Sequence, residues 1–217
     1  IGGGNMASAV IGGLVAGGRS SASIVVVEPF EAQRDRLRSA YGVNAIAAVD
    51  ASLARAALVV WAVKPQLFRE AAAPAGPHIG RALQLSVMAG IRSAAVAAAA
   101  GTGRVVRAMP NTPALIGRGI AGLYARDAVT AADRALVEQV LAPTGQTLWV
   151  AREADLDAVT ALSGSGPAYV FYFVEAMVQA ATAMGLSAGQ GKQLALATFA
   201  GATELARRSD DAPELLR

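Results

Sequence analysis

The chain has 217 residues, 54% hydrophobic but only 5% aromatic, with 16% charged residues and a net charge of +3. That length suits one or two domains with a sizeable core. The lack of cysteine excludes disulfides, thiol catalysis and cysteine-ligated metals, one histidine cannot build a typical zinc site, and scattered basic residues exclude a nucleic-acid footprint.

Mean hydropathy is positive, yet the uncharged run from Ala158 to Val174 is broken by SGSGP, unlike a membrane-spanning helix. No membrane association is expected. Surplus apolar surface points to a subunit interface, and the expected setting is cytoplasmic.

The chain opens on a glycine cluster, Gly2-Gly3-Gly4, followed by Ala7, Val10, Ile11 and Leu14 at helical spacing, with Gly17-Gly18 closing that helix. SIVVVEP, residues 23 to 29, is a short buried strand. Residues 30 to 41 form a charged amphipathic helix, VNAIA a weak strand, and Asp50 begins a short helix. ALVVWAVKP, 57 to 65, is a buried strand, followed by a helix over about 66 to 73 and a turn, AGPHIG, that leaves His78 a solvated loop residue. ALQLSVMAG, RVVRAMP, GIAGLYA and TLWVA read as further strands, with helices over IRSAAVAAAA and TAADRALVEQVLAPTG. This alternation predicts a doubly wound parallel sheet over residues 1–151. From residue 152 onward the strands stop and long helical stretches follow. Ser187 with Gln190 forms a capping box for the second, and Asp211-Ala-Pro-Glu begins another helix. The second region, 152–217, is therefore a helical domain, cut short.

Gly2 to Ala7 reads as G-x-G-x-x-A, in which glycines allow a tight turn and close approach of a pyrophosphate to a helix N-terminus. Glu28 ends the next strand near the distance at which an acidic side chain reads an adenosine ribose, favouring NAD, while Arg34 nearby softens that preference. Lys64, one of two lysines, stands at the carboxyl end of an apolar strand, where it holds a cofactor or substrate group, or simply snorkels. Asn111 and Thr112 lie in a loop bounded by two prolines, either facing the same crevice or forming a rigid turn. In SGSGP, Ser165 or Gly166 would cap a helix whose N–H groups take an anion; a close helix crossing is the alternative.

GGGNMA, AVKPQ, SVMAGI, VVRAMPNTPALIG and DAVTALSGSGPAYVFYFVEAM, in this order, resemble the pyrroline-5-carboxylate reductase family, and the resemblance covers essentially the whole chain. It implies a Rossmann-like domain followed by an all-α dimerisation domain, truncated here, and an NADPH- or NADH-dependent reduction of 1-pyrroline-5-carboxylate to L-proline. It also implies a homodimer through the helical domain that can assemble into a decamer. For the cofactor the matching motifs nominate Gly2, Gly4, Asn5, Met6, Glu28, Ala62, Val63, Lys64, Pro65, Met88 and Ala89. For the substrate they nominate Glu153, Ser163, Gly164, Ser165, Gly166 and Asn111, with Ser163, Ser165 and Thr160 as candidate proton donors and no metal. The family has a further turn, of the form SPGGTT, that these residues do not include. The expectation is that the chain belongs to a longer protein whose first strand ends at Ile1. The absence of a lysine after Gly164 and Gly166 sets aside a β-hydroxyacid dehydrogenase. A non-catalytic nucleotide-binding or sensing protein of the same fold is the remaining alternative.

Overall fold

A computed structural model describes residues 1–211, which divide into two compact units. The first, Ile1–Ser165, is an α/β unit, and the helical second begins at Gly166. The segment after the last strand packs on the sheet: Val159 and Leu156 crowd the position where a Cβ on Gly122 would stand.

The first unit runs α1 (Asn5–Ala16), β1 (Val25–Val27), α2 (Glu31–Tyr41), β2 (Asn44–Ile46), β3 (Leu58–Trp61), α3 (Phe68–Ile79), β4 (Leu83–Ser86) and α4 (Ser93–Ala100). It continues through β5 (Val105–Met109), β6 (Gly119–Ala125), α5 (Ala131–Leu141), β7 (Gly145–Trp149) and α6 (Asp155–Val159), then a π-helical turn, Thr160–Gly164. β1 and β2 pair in parallel, and β3-β4-β5-β6-β7 form a second sheet. Ile1 and Gly2 lie between the two sheets. The Gly2 N–H donates to Val27 O at 2.9 Å, and the Ala62 N–H donates to Ile1 O at 2.8 Å.

Successive strand residues feed opposite faces. Trp61, Phe68, Ala75, Ile79, Met88 and Val96 form one core with α3 and α4. Leu83, Leu85, Val106, Leu123, Val137 and Leu141 form a second, against α1 and α5, and Ala7, Ile11, Val26, Leu37, Val43 and Ala45 a third around β1 and β2. Helices thus cover both sides, as the doubly wound reading requires.

Three details differ from expectation. β6 runs antiparallel to β5, with Met109 opposite Gly122, because only residues 110–118 connect them and a parallel crossover needs a dozen or more. The helix expected to stop near residue 73 continues to Ile79 through Pro74 and Pro77. Its buried face of Ala72, Ala75 and Ile79 outweighs the proline penalty, so His78 sits half-buried in the last helical turn rather than in a loop. Finally, the backbone at Ser165 is still helical (φ −86°, ψ −19°), so Ser165 is not an extended N-cap.

The second unit holds α7 (Gly166–Ala183) and α8 (Ala188–Arg208), the latter opened by the expected Ser187–Gln190 capping box. The two helices meet closely at Gly191, where a Cβ would lie 2.9 Å from that of Ala181, and Phe173 stacks obliquely on Phe199 at 6.3 Å. The helix expected from Asp211 lies almost wholly outside the described residues.

Candidate active site

The parallel strands β1, β3, β4 and β5 end on one edge, and the motif segments follow those ends. Ala62 to Pro65 follow β3, Met88 and Ala89 follow β4, and Pro110 and Asn111 follow β5. Gly2 carries a φ of +90°, and a Cβ there would sit 2.6 Å from Ala62 O. Only glycine accepts that conformation and that approach. The glycine loop is thereby seated directly on the AVKP strand end.

Gly3 is held from both sides. Its N–H donates to Glu28 Oε2 at 2.8 Å, and Gln33 Nε2 donates to its carbonyl. Glu28 Oε1 also accepts the Phe30 N–H at 3.0 Å. Glu28 is buried; one oxygen braces the glycine loop and the other its own chain just past β1, a role beyond the ribose contact expected of it. Arg34 spends its guanidinium on the carbonyls of Glu28 (2.9 Å) and Pro29 (2.6 Å).

Gly4 is the N-cap of α1, and nothing lies within 4 Å of where its Cβ would be. No side chain caps α1, which leaves the N–H groups at Asn5 and Met6 for an outside acceptor. An open glycine before an uncapped, uncharged first turn fits the diphosphate of a dinucleotide. Lys64 is exposed and has no ion-pair partner among the described residues. Val63 and Pro65 are half-buried beside it and Ala89 is exposed, whereas the Met88 side chain is 2% exposed and belongs to the core.

On the substrate side, Glu153 makes protein contacts. Its Oε1 accepts the Ser93 N–H at 2.6 Å and its Oε2 accepts the Ser93 hydroxyl at 2.7 Å. Arg107 Nη1 approaches Oε1 at 3.3 Å. Burial pushes the Glu153 pKa up, but the hydrogen bonds from Ser93 and Arg107 outweigh it, and the carboxyl titrates below its ordinary value. Asn111 is likewise engaged: its Nδ2 donates to Ser163 O at 3.1 Å and its Oδ1 accepts the Ile120 N–H at 3.0 Å. The Thr160 hydroxyl donates to Leu156 O (2.7 Å) and the Ser163 hydroxyl to Val159 O (3.0 Å). Of the three candidate donors, Ser165 alone shows no hydroxyl partner among the described residues. Gly164 and Ser165 are half-buried, and Gly166 opens α7.

Two residues escaped the sequence reading. Gln33 gave no signal beyond being polar on an amphipathic helix. Arg107 did: an arginine inside the apolar strand VVRAM needs a buried partner.

A family model described as pyrroline-5-carboxylate reductase dimerisation matches residues 153–217. Another, described as NADP oxidoreductase, coenzyme F420-dependent, matches residues 1–90. The pyrroline-5-carboxylate reductase of Pseudomonas aeruginosa is 41% identical over 219 residues, spanning 100% of this chain and 80% of the relative. The one from Haemophilus influenzae is 36% identical over 94% of this chain and 76% of the relative. A solved pyrroline-5-carboxylate reductase from Coxiella burnetii superposes with a TM-score of 0.90 at 31% identity, over 100% of this chain and 81% of that one. The Plasmodium falciparum enzyme, solved with NADP bound, gives 0.82 at 28% identity over 99% and 81%. With this identity and coverage added to the motif geometry, the chain belongs to the pyrroline-5-carboxylate reductase family.

Proposed function

We propose that this chain catalyses the reduction of 1-pyrroline-5-carboxylate to L-proline with NADPH or NADH, the last step of proline biosynthesis. The observation that carries the reading is the meeting of the glycine loop, AVKPQ, SVMAGI and MPNT segments at the carboxyl ends of parallel strands, where such folds bind their ligands.

When bound, the reduced nicotinamide supplies the hydride that adds to the imine carbon. A protonated cyclic imine is already electrophilic, so the chain's task is to align the reactants and exclude water. In this reading Gly2, Gly4, Asn5 and Met6 take the diphosphate, Glu28 keeps their loop in shape, and the Lys64 ammonium answers cofactor charge at the strand end. Ala62, Val63, Pro65, Met88 and Ala89 shape the nicotinamide side. The turn Ser163, Gly164, Ser165 and Gly166 faces the substrate, and Ser165 is the favoured hydroxyl near the imine nitrogen, because Thr160 and Ser163 donate into their own helix. Glu153 and Asn111 serve through the groups they hold.

The helical unit exposes Tyr169, Val170, Phe171, Tyr172 and Phe173 on α7 and Leu194 and Leu205 on α8. That apolar surface supports a homodimer formed through this unit, and the family resemblance extends it to a decamer. Among the described residues no helix is long and apolar enough to cross a membrane, and a cytoplasmic setting accords with a small-molecule biosynthetic role.

Incubating the purified protein with pyrroline-5-carboxylate and NADPH or NADH tests the proposal. Oxidation of the nucleotide with L-proline formation is expected. Nucleotide binding without turnover would favour the sensor alternative.

A further inference from the structure

The carbonyl of Ser163 has an unusual position in the chain. In an α-helix it would accept the N–H of residue 167, four places on, but residue 167 is Pro167 and has no N–H. The backbone here also widens into a π turn, with the Ser165 N–H reaching back five residues to Thr160 O at 2.9 Å. The SGSGP sequence thus deprives the Ser163 carbonyl of its regular helical donor.

Asn111 fills that place. It stands just past the end of β5, donates from Nδ2 to Ser163 O at 3.1 Å, and is itself fixed through Oδ1 by the Ile120 N–H at 3.0 Å. Both ends of the amide are occupied. A second contact comes from the same strand end: a Cβ on Gly164 would lie 3.0 Å from Met109 Cε, so the turn lies close against the end of β5.

We infer that Asn111 is a positioning residue for the reductase reaction: by donating to the carbonyl that Pro167 leaves unmatched, it fixes the Ser163–Gly164–Ser165 turn on the end of β5. This rests on the reductase reading given above. It changes the expected role of Asn111 from a substrate ligand to the clamp that aims the turn, and it explains why an asparagine is needed. A donor must reach Ser163 while an acceptor holds Ile120, and a carboxylate of the same shape supplies only acceptors.

The test is a set of variants of the full-length protein. N111D is expected to lower kcat/KM for pyrroline-5-carboxylate by up to about 100-fold, the scale set by a small misplacement of reacting groups. Its Kd for NADPH should stay within about twofold of the parent's, because the hydrogen bonds of the Asn111 amide go to Ser163 and Ile120, neither of which is proposed for the cofactor. A double-variant cycle separates clamp from ligand. P167A restores an N–H four residues beyond Ser163, so the loss caused by N111A should be several-fold smaller in P167A than in the parent. An equal N111A loss in both backgrounds, or parent-like kinetics in N111D, overturns the clamp. Amide hydrogen exchange gives a readout that does not need turnover: N111A should speed exchange at Gly164 and Ser165, and unchanged protection there also overturns it. Absence of activity in the parent protein would instead remove the reductase reading and leave the exchange result to decide the clamp.

Discussion

The Glu153 carboxylate binds both donors of Ser93, sixty residues away in the chain: the backbone N–H at 2.6 Å and the hydroxyl at 2.7 Å. Ser93 is the first residue of α4, whose N-cap, Arg92, makes no side-chain cap. Glu153 therefore caps α4 from a distant segment. The same carboxylate faces Arg107, 3% exposed, on the strand beside β4.

Removing that carboxylate leaves a buried guanidinium unpaired. Glu153→Ala is expected to destabilise the protein by about 3 kcal/mol, seen as a fall in Tm of roughly 6–12 °C. Adding Arg107→Met should recover part of the loss, since an apolar side chain of similar reach removes the stranded charge. Thermal melts of the single and double variants measure this. Equal Tm for Glu153→Ala and the parent would show that the pair carries no stability.

The pH dependence follows from the same group. Burial raises the Glu153 pKa, the Ser93 and Arg107 hydrogen bonds lower it further than burial raises it, and the folded value lies below 4.5. A depressed carboxylate contributes stability that is fully present above its unfolded pKa and is lost as pH falls through the folded value. The stability gap between the parent and Glu153→Gln, from denaturant titrations, should be widest near neutrality and close in acid below about pH 4.5. A gap that persists unchanged into acid would contradict the assignment.

Gly2 and Gly4 should separate folding from binding. Gly2→Ala meets both a φ of +90° and a contact of 2.6 Å with Ala62 O, so it should cost about 1–3 kcal/mol of stability. Gly4→Ala has open space around it and an extended backbone, so it should fold with nearly parental Tm. Its new methyl stands where a diphosphate would approach, and NADPH affinity should fall about tenfold or more. Fluorescence titration and thermal melts on both variants make the comparison. Parental affinity in Gly4→Ala would move the phosphate site elsewhere.

Lys64→Ala should weaken NADPH binding without altering Tm, because the side chain is exposed and makes no ion pair among the described residues. An unchanged Kd would leave Lys64 as a solvated strand-end lysine.

What could be read in the sequence was whatever is local. The strands around Val25–Val27, Leu58–Trp61 and Val105–Met109, with Glu28 and Lys64 just beyond the first two, and the Ser187 capping box all depend on neighbours within a few residues, and each lies within the stretch its pattern marked. Contacts across the fold were not legible. For Glu153 and Asn111 nothing local said that each would grip the protein, since their partners Ser93, Arg107 and Ser163 lie 46 to 60 residues away. The reversal of β6 was hidden because strand direction depends on the length of the connection rather than on the strand's composition. The helix through Pro74 and Pro77 was missed because local proline chemistry lost to the burial of Ala72, Ala75 and Ile79.

Reduction of a cyclic imine by this chain can be followed at both of its products. The most direct measurement is a coupled determination of nucleotide oxidised and L-proline formed when purified protein meets 1-pyrroline-5-carboxylate and NADPH or NADH. Equal amounts of both products are expected, with saturation by each substrate. Binding of the nucleotide with no L-proline formed would contradict the proposed reduction.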